Sequence, residues 1–177
     1  MRDNYLLTTM DKNRLHSHPQ NLDPTKRWVI GAAIFQNIKS QNPSLLLLKR
    51  TSHEDAFPNA WELPGGHVEE ETDESVAHAV AREVLEETQL VVTDIVGEIE
   101  EMTWESKARS RSNVQLNYVV TVQEGDVKLN PDEHSDWQWV QEGQVEDFYV
   151  TVEMRKVVKD AFHFMAQASL NGYSSCK

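Results

Sequence analysis

One segment, Asp73 to Thr88, does most to limit the folds open to this chain of 177 residues. Val76, Val80 and Val84 recur at four-residue spacing, with Ala77, Ala81 and Leu85 beside them. That pattern predicts an amphipathic helix with one apolar stripe laid on a core. Thr72 or Asp73 is placed to cap its start, and Glu74 suits the positive end of the helix dipole. Near its end Glu83, Glu86 and Glu87 stand at i, i+3 and i+4, so all three project from one side. Unrelieved, such like charges repel by roughly a few tenths of a kcal/mol per pair. Arg82, four residues before Glu86, relieves part of this, and a hard cation such as Mg²⁺ or Mn²⁺ relieves more. For three glutamates on a helix alone, a solvated acidic face is the simpler explanation.

What flanks the helix reads mostly as strand. Trp28 to Phe35 and Ser44 to Arg50 are short apolar runs of buried-strand length, and Pro58-Asn59 punctuates the loop after them. Trp61-Glu62-Leu63-Pro64-Gly65-Gly66 follows, in which Pro64 and the glycine pair mark a tight turn. After the helix come strand signals over about 91–104, 113–122 and 137–140, and then a second helix over about 151–168. Strands, a central helix, more strands and a closing helix predict an α+β domain, a mixed sheet covered by helices. Residues 1–26 are polar, hold Pro19 and Pro24, and read as a flexible N-terminal arm that Tyr5-Leu6-Leu7 could dock; 169–177 read as a tail.

The acidic triad lies about sixteen residues after Pro64-Gly65-Gly66, so two features converge on one site. Here the chain resembles the Nudix hydrolase family. That family's signature runs Gly, five residues, Glu, seven residues, Arg-Glu, an apolar residue, any residue, Glu-Glu, any residue, Gly and an apolar residue. Glu74, seven residues, then Arg82-Glu83-Val84-Leu85-Glu86-Glu87-Thr88 match at that spacing, and Leu90 fills the last apolar place. The resemblance covers roughly 27–168 and implies the Nudix fold, an α/β/α sandwich. Two departures stand out. Seven residues rather than five separate Gly66 from Glu74, a two-residue insertion, and the alternative register puts Val68 where Gly belongs. Gln89 replaces the glycine that closes the helix, at a cost on the order of 1 kcal/mol if it turns left-handed.

The resemblance implies hydrolysis of a diphosphate bond in a nucleoside diphosphate derivative, a nucleoside triphosphate or another organic diphosphate. It makes Glu86 and Glu87 metal ligands for Mg²⁺ or Mn²⁺, and Glu83 a further ligand or the partner of the attacking water. Arg82 braces these carboxylates, and the Gly66 carbonyl is another ligand. A base from a later loop is expected; Glu133 is the candidate, with Glu98, Glu100 and Glu101 as rivals. Arg50 and Arg109 are candidates to hold substrate phosphate and Trp61 to stack on a base. As ordinary structure, the two arginines would blunt a strand end and a loop, and Trp61 would be core. His67, His78 and His134 are not spaced like a zinc site.

Composition narrows the classes. A net charge of −12 argues against a general nucleic-acid binder, yet a bound cation admits an anionic small molecule. The single cysteine, Cys176, allows no disulfide within the chain. No stretch approaches the ~18 apolar residues of a membrane span, and no signal-peptide run opens the chain, so a soluble cytoplasmic protein is expected. A homodimer is compatible with this reading. The alternatives are a catalytically silent Nudix ligand-binding module, an interaction domain using the arm, and an enzyme acting on prenyl diphosphates. The last should carry an active-site cysteine, and Cys176 is terminal.

Overall fold

The computed structural model describes residues 10–54, 56–105 and 112–170. Six strands form its sheet: β1 (Arg27–Gln36), β2 (Ser44–Arg50), β3 (Trp61–Glu62), β4 (Val92–Glu105), β5 (Ser112–Val122) and β6 (His134–Gln141). Three helices accompany them: α1 (Lys12–Leu15), α2 (Val76–Thr88) and α3 (Val152–Leu170). β1 runs parallel to β5, and the remaining pairs are antiparallel: β4 with β5, β2 with β6, β2 with β3, and the end of β1 with β2. The sheet is therefore mixed.

The run Leu45 to Leu48 shows how the layers arise. Successive strand side chains point to opposite faces. Leu46 and Leu48 join Ile30, Ile34, Val76, Val80 and Val84 in a core beneath α2, whereas Leu45 and Leu47 join Val140, Val157, Val158 and Phe162 beneath α3. Each face is apolar and each needs a helix, which gives the expected α/β/α sandwich. At ~25 cal/mol per Å² of apolar surface removed from water, these two cores are the main favourable term in folding.

Two local expectations are corrected and a third is met. The stretch read as a flexible arm is in part docked: Leu15 is 3% exposed in the α2-side core, and the Asp11 N–H and the Arg14 guanidinium both bind Glu98. One buried leucine and one shared carboxylate suffice to anchor a polar segment. The α2 helix starts at Val76 rather than near Asp73, because the Ser75 side chain takes the His78 N–H as cap while Asp73 is drawn elsewhere. Gln89 does close the helix left-handed, at φ 59°, and its side-chain amide reaches back to the Leu85 carbonyl at 3.2 Å.

Candidate metal and diphosphate site

The site is assembled around the last turns of α2 by two loops. The first is the glycine turn. Ile30 and Ala32 of β1 donate to the Gly66 and Pro64 carbonyls at 2.8 Å, and Val68 donates to Trp28 at 3.0 Å, so residues 64–68 run as an extra edge along β1. That edge carries the turn under α2. At Gly65 a Cβ would meet the Ile30 carbonyl oxygen at 2.0 Å, and at Gly66 it would meet the Glu83 carboxylate at 2.5 Å. At Gly65 backbone passes where a side chain would stand, and at Gly66 a side chain would displace the Glu83 carboxylate. The contact with Glu83 also settles the register: Gly66, not Val68, faces the helix.

The two extra residues between Gly66 and Glu74 fold into a compact turn. The Glu69 carbonyl accepts from Thr72 and Asp73 N–H, while the Glu69 N–H donates to the Asp73 carboxylate at 2.8 Å. Asp73, 1% exposed, then meets Arg82 through a fork, Nε to Oδ1 at 2.9 Å and Nη2 to Oδ2 at 3.0 Å. The remaining donors of Arg82 reach Glu83 at 2.9 Å, Glu86 at 3.1 Å and the His67 carbonyl at 2.9 Å. One guanidinium thus ties the insertion, the glycine turn and two of the three helix carboxylates together, a geometry that a planar bidentate fork suits and a lysine does not. Asp73, which the sequence offered only as a helix cap, takes this place because its side chain faces Arg82 across the closed turn.

The second loop comes from the far side of the chain. The carbonyls in the last turn of a helix lack helical partners. Here Lys128 N–H donates to the Thr88 carbonyl at 2.9 Å and Asn130 N–H to that of Glu87 at 3.2 Å. The Asn130 side chain in turn holds the Glu133 carboxylate at 2.9 Å, and Thr51 N–H fixes the Glu133 carbonyl at 3.0 Å. So Glu133 and His134 are delivered to the glutamates by backbone bonds to the helix itself. Carboxylate oxygens of Glu87 and Glu133 and a ring nitrogen of His134 lie within 4.8 Å of one another.

The three helix glutamates are not equivalent. The Glu86 side chain is 55% exposed, whereas Glu83 and Glu87 are 7% and 2% exposed. Burial pushes the Glu83 carboxyl up to about 7, against the lowering pull of Arg82. Burial pushes Glu87 well above the usual carboxylate range; the Gly65 N–H, 2.8 Å away, opposes this, and the charges of Glu62, Glu83 and Glu133 add to it. Buried like charges this dense are costly unless a cation joins them. The donor set of hard oxygens fits Mg²⁺ or Mn²⁺, and His134 Nδ1 is buried with no hydrogen-bond partner.

Other expected site residues fall elsewhere. Arg50 is already engaged, by Glu54 at 2.6 Å, Glu62 at 2.7 Å and the Ala56 carbonyl at 2.8 Å, so it braces Glu62 rather than presenting a free fork. Trp61, 9% exposed, packs edge-on against Phe148 at 5.0 Å in the α3-side core and offers no base-stacking face. Its strand position explains this, since β3 side chains alternate and Trp61 takes the apolar side. Arg109 lies outside the described residues. Among the rivals for the base, Glu98 is taken by Arg14 and Asp11. Sequence reasoning missed His134, Glu62 and Asp73; only the adjacency of His134 to Glu133 hinted at the first.

A model of the NUDIX domain matches residues 25–161. The chain belongs to the Nudix hydrolase family. It is 48% identical over 61 residues to the m7GpppN-mRNA hydrolase NUDT17 of Danio rerio, covering 34% of this chain and 19% of that protein. To the Xenopus laevis protein of the same name it is 38% identical over 66 residues, covering 37% of this chain and 21% of that protein. These alignments span about a fifth of each relative's length. A MutT protein from Methanosarcina mazei is similar in structure, with a TM-score of 0.61 and 27% identity over 84% of this chain and 98% of that one. The NUDIX domain of Shewanella oneidensis NrtR, solved with ADP ribose, shares the fold at a TM-score of 0.64 and 22% identity, over 82% of this chain and 95% of that one. No helix among the described residues is long and apolar enough to cross a membrane.

Proposed function

We propose that residues 27–168 form a hydrolase that cleaves the diphosphate bond of a nucleoside diphosphate derivative, a nucleoside triphosphate or another organic diphosphate, with Mg²⁺ or Mn²⁺ as cofactor. The observation that carries this reading is the convergence of Glu87, buried on α2 as Glu83 is, with Glu133 from a loop stitched to the same helix. Glu83, Glu86, Glu87 and the Gly66 carbonyl hold the cation. When bound there, it acidifies a water and neutralises charge on phosphate oxygens.

The chain's own groups do the rest. Arg82 keeps Glu83 and Glu86 in fixed rotamers, and its fork on Asp73 keeps Arg82 itself in place. Glu133 is the exposed member of the group and accepts the proton of the attacking water, the task for which a carboxylate within hydrogen-bond reach is suited. Glu83 orients that water from the buried side. Arg109 is our candidate to hold the phosphates of the substrate. On this reading the protein is a cytoplasmic enzyme acting on small-molecule diphosphates, alone or as a homodimer.

The test is a substrate panel containing nucleoside triphosphates, ADP-ribose, dinucleoside polyphosphates and an m7GpppN cap, with Mg²⁺ or Mn²⁺ present. At least one member should release phosphate, diphosphate or a nucleotide product. Chelator should abolish the release. Full activity in both Glu86→Gln and Glu87→Gln would remove the site assignment, and metal binding without turnover on any substrate would make the domain a ligand-binding module.

A further inference from the structure

The geometry points to His134 as a nitrogen ligand of the bound cation, through Nδ1, which makes this a mixed oxygen–nitrogen site favouring Mn²⁺ and other transition metals over Mg²⁺. The inference rests on the metal-dependent reading above and adds the donor and the metal preference.

Four observations support it. First, His134 is 3% exposed and its Nδ1 has no hydrogen-bond partner, although a buried ring nitrogen ordinarily finds one. Second, that nitrogen is aimed at the cluster: it lies 3.7 Å from Glu87 Oε1, beyond a hydrogen bond, and all three donor atoms of Glu87, Glu133 and His134 are within 4.8 Å of one another. Donors about 2.1 Å from a shared ion stand about 3 to 4.2 Å apart, and the 3.7 Å between His134 Nδ1 and Glu87 Oε1 falls in that range.

Third, the far side of the ring is dressed as a ligand histidine usually is. His134 Nε2 faces Glu62 Oε1 at 3.4 Å, and Glu62 is held at 2.7 Å by Arg50. A carboxylate on the remote ring nitrogen fixes the tautomer with the proton on Nε2 and leaves the Nδ1 lone pair for a metal. Fourth, the Glu87 carboxylate is tied so as to leave one oxygen turned toward His134, while Asn130 holds Glu133 beside it. Glu87 Oε2 accepts from Gly65 N–H at 2.8 Å, which leaves Oε1 toward His134, and Glu133 Oε1 accepts from Asn130 at 2.9 Å. Carboxylate and water alone suit Mg²⁺, whereas imidazole adds affinity for later divalent metals. The chain Arg50–Glu62–His134 therefore sets which cation the glutamates hold.

The test uses the full chain and metal alone. Pulsed electron paramagnetic resonance of Mn²⁺ bound to the wild-type protein should show nitrogen hyperfine coupling, and labelling histidine with ¹⁵N should replace the ¹⁴N pattern. In His134→Gln the coupling should vanish and calorimetric Mn²⁺ affinity should fall by about 10-fold or more, with Mg²⁺ affinity moving far less. Glu62→Gln should keep the coupling but weaken Mn²⁺ binding by about 10-fold. If His134→Gln does not fold, the ¹⁵N-histidine spectrum of the wild type decides alone. Bound Mn²⁺ without nitrogen coupling, or coupling that survives in a folded His134→Gln, overturns the inference. Turnover on the diphosphate panel alongside absent coupling leaves the hydrolase reading standing, while neither metal binding nor turnover removes both.

Discussion

The two helices that cover the sheet have the same task in packing and opposite characters. α3 buries Met154, Val157, Val158, Ala161 and Phe162 and turns its charges outward, with Arg155 pairing an exposed Glu146 at the surface. α2 buries Val76, Ala79, Val80 and Val84 in the same manner, yet it also draws Glu83 and Glu87 out of water and ends on a left-handed Gln89. The two buried carboxylates of α2 sit in its last two turns, and the left-handed Gln89 follows directly after them. Strain and buried charge concentrated at one end of one helix are the marks of a functional site. α3 is held mainly by packing, with surface bonds such as Glu100 N–H to Asp160 beside it; α2 is held by packing and spends part of it on chemistry.

That contrast can be broken or sharpened by experiment. The largest change in stability should come from α3. Phe162→Ala removes a ring packed edge-on against Phe35 at 5.3 Å and should cost about 3–5 kcal/mol in chemical denaturation, with turnover per folded molecule unaltered. A fall in kcat would mean that α3 also shapes the site. Glu87→Gln should do the reverse. Turnover should drop by more than the about 10- to 100-fold typical of a group one step removed from a metal, and the metal-free protein should melt no lower than wild type, since a buried charge has been removed. Glu153→Gln, at the exposed start of α3, is the matched control and should change neither quantity.

Asp73→Asn should fall between these. Breaking the charged fork on Arg82 is expected to cost about 1.5–3 kcal/mol and to lower kcat by releasing Glu83 and Glu86. It also carries a pH signature. Burial alone would raise the Asp73 carboxyl, but Arg82 and the Glu69 N–H outweigh it and hold it below its ordinary value. A group lowered in the folded state stabilises fully above its unfolded pKa of about 3.9, and that contribution is lost as pH falls through the lower folded value. Wild-type stability should thus decline on acidification below about pH 4 by a component that D73N lacks, readable from denaturation midpoints at several pH values. The smallest effect is at the helix end. Gln89→Gly relieves the positive φ, but glycine adds unfolded-state freedom, so a gain of about 0.5–1 kcal/mol in the denaturation midpoint is expected.

Much of the fold was legible because it is written in local periodicity. The short apolar runs give β1 and β2 within a residue of their observed ends, and the four-residue spacing of Val76, Val80 and Val84 gives α2 with its end at Thr88 and its start three residues early. β3 was not legible, since two residues carry no period and exist as a strand only because Leu48 and Lys49 pair with them. The docking of Leu15 was hidden for a similar reason: one leucine in a polar stretch acquires meaning only from the core it enters.

The candidate site divides along the same line. By itself the sequence determined the acidic triad, its rigid spacing on one helix face, the glycine turn before it and, through the family signature, the kind of chemistry these groups serve. The tertiary structure decided which neighbours complete them: Asp73 on Arg82, Arg50 behind Glu62, Trp61 in the core, and His134 beside Glu87. The physical reason is reach. Spacing along a helix is set by its 3.6-residue turn and can be read from the chain, whereas a contact between residues 47 positions apart, as Glu87 and His134 are, exists only once the β2–β6 register and the loop bonded to the end of α2 have fixed both in place.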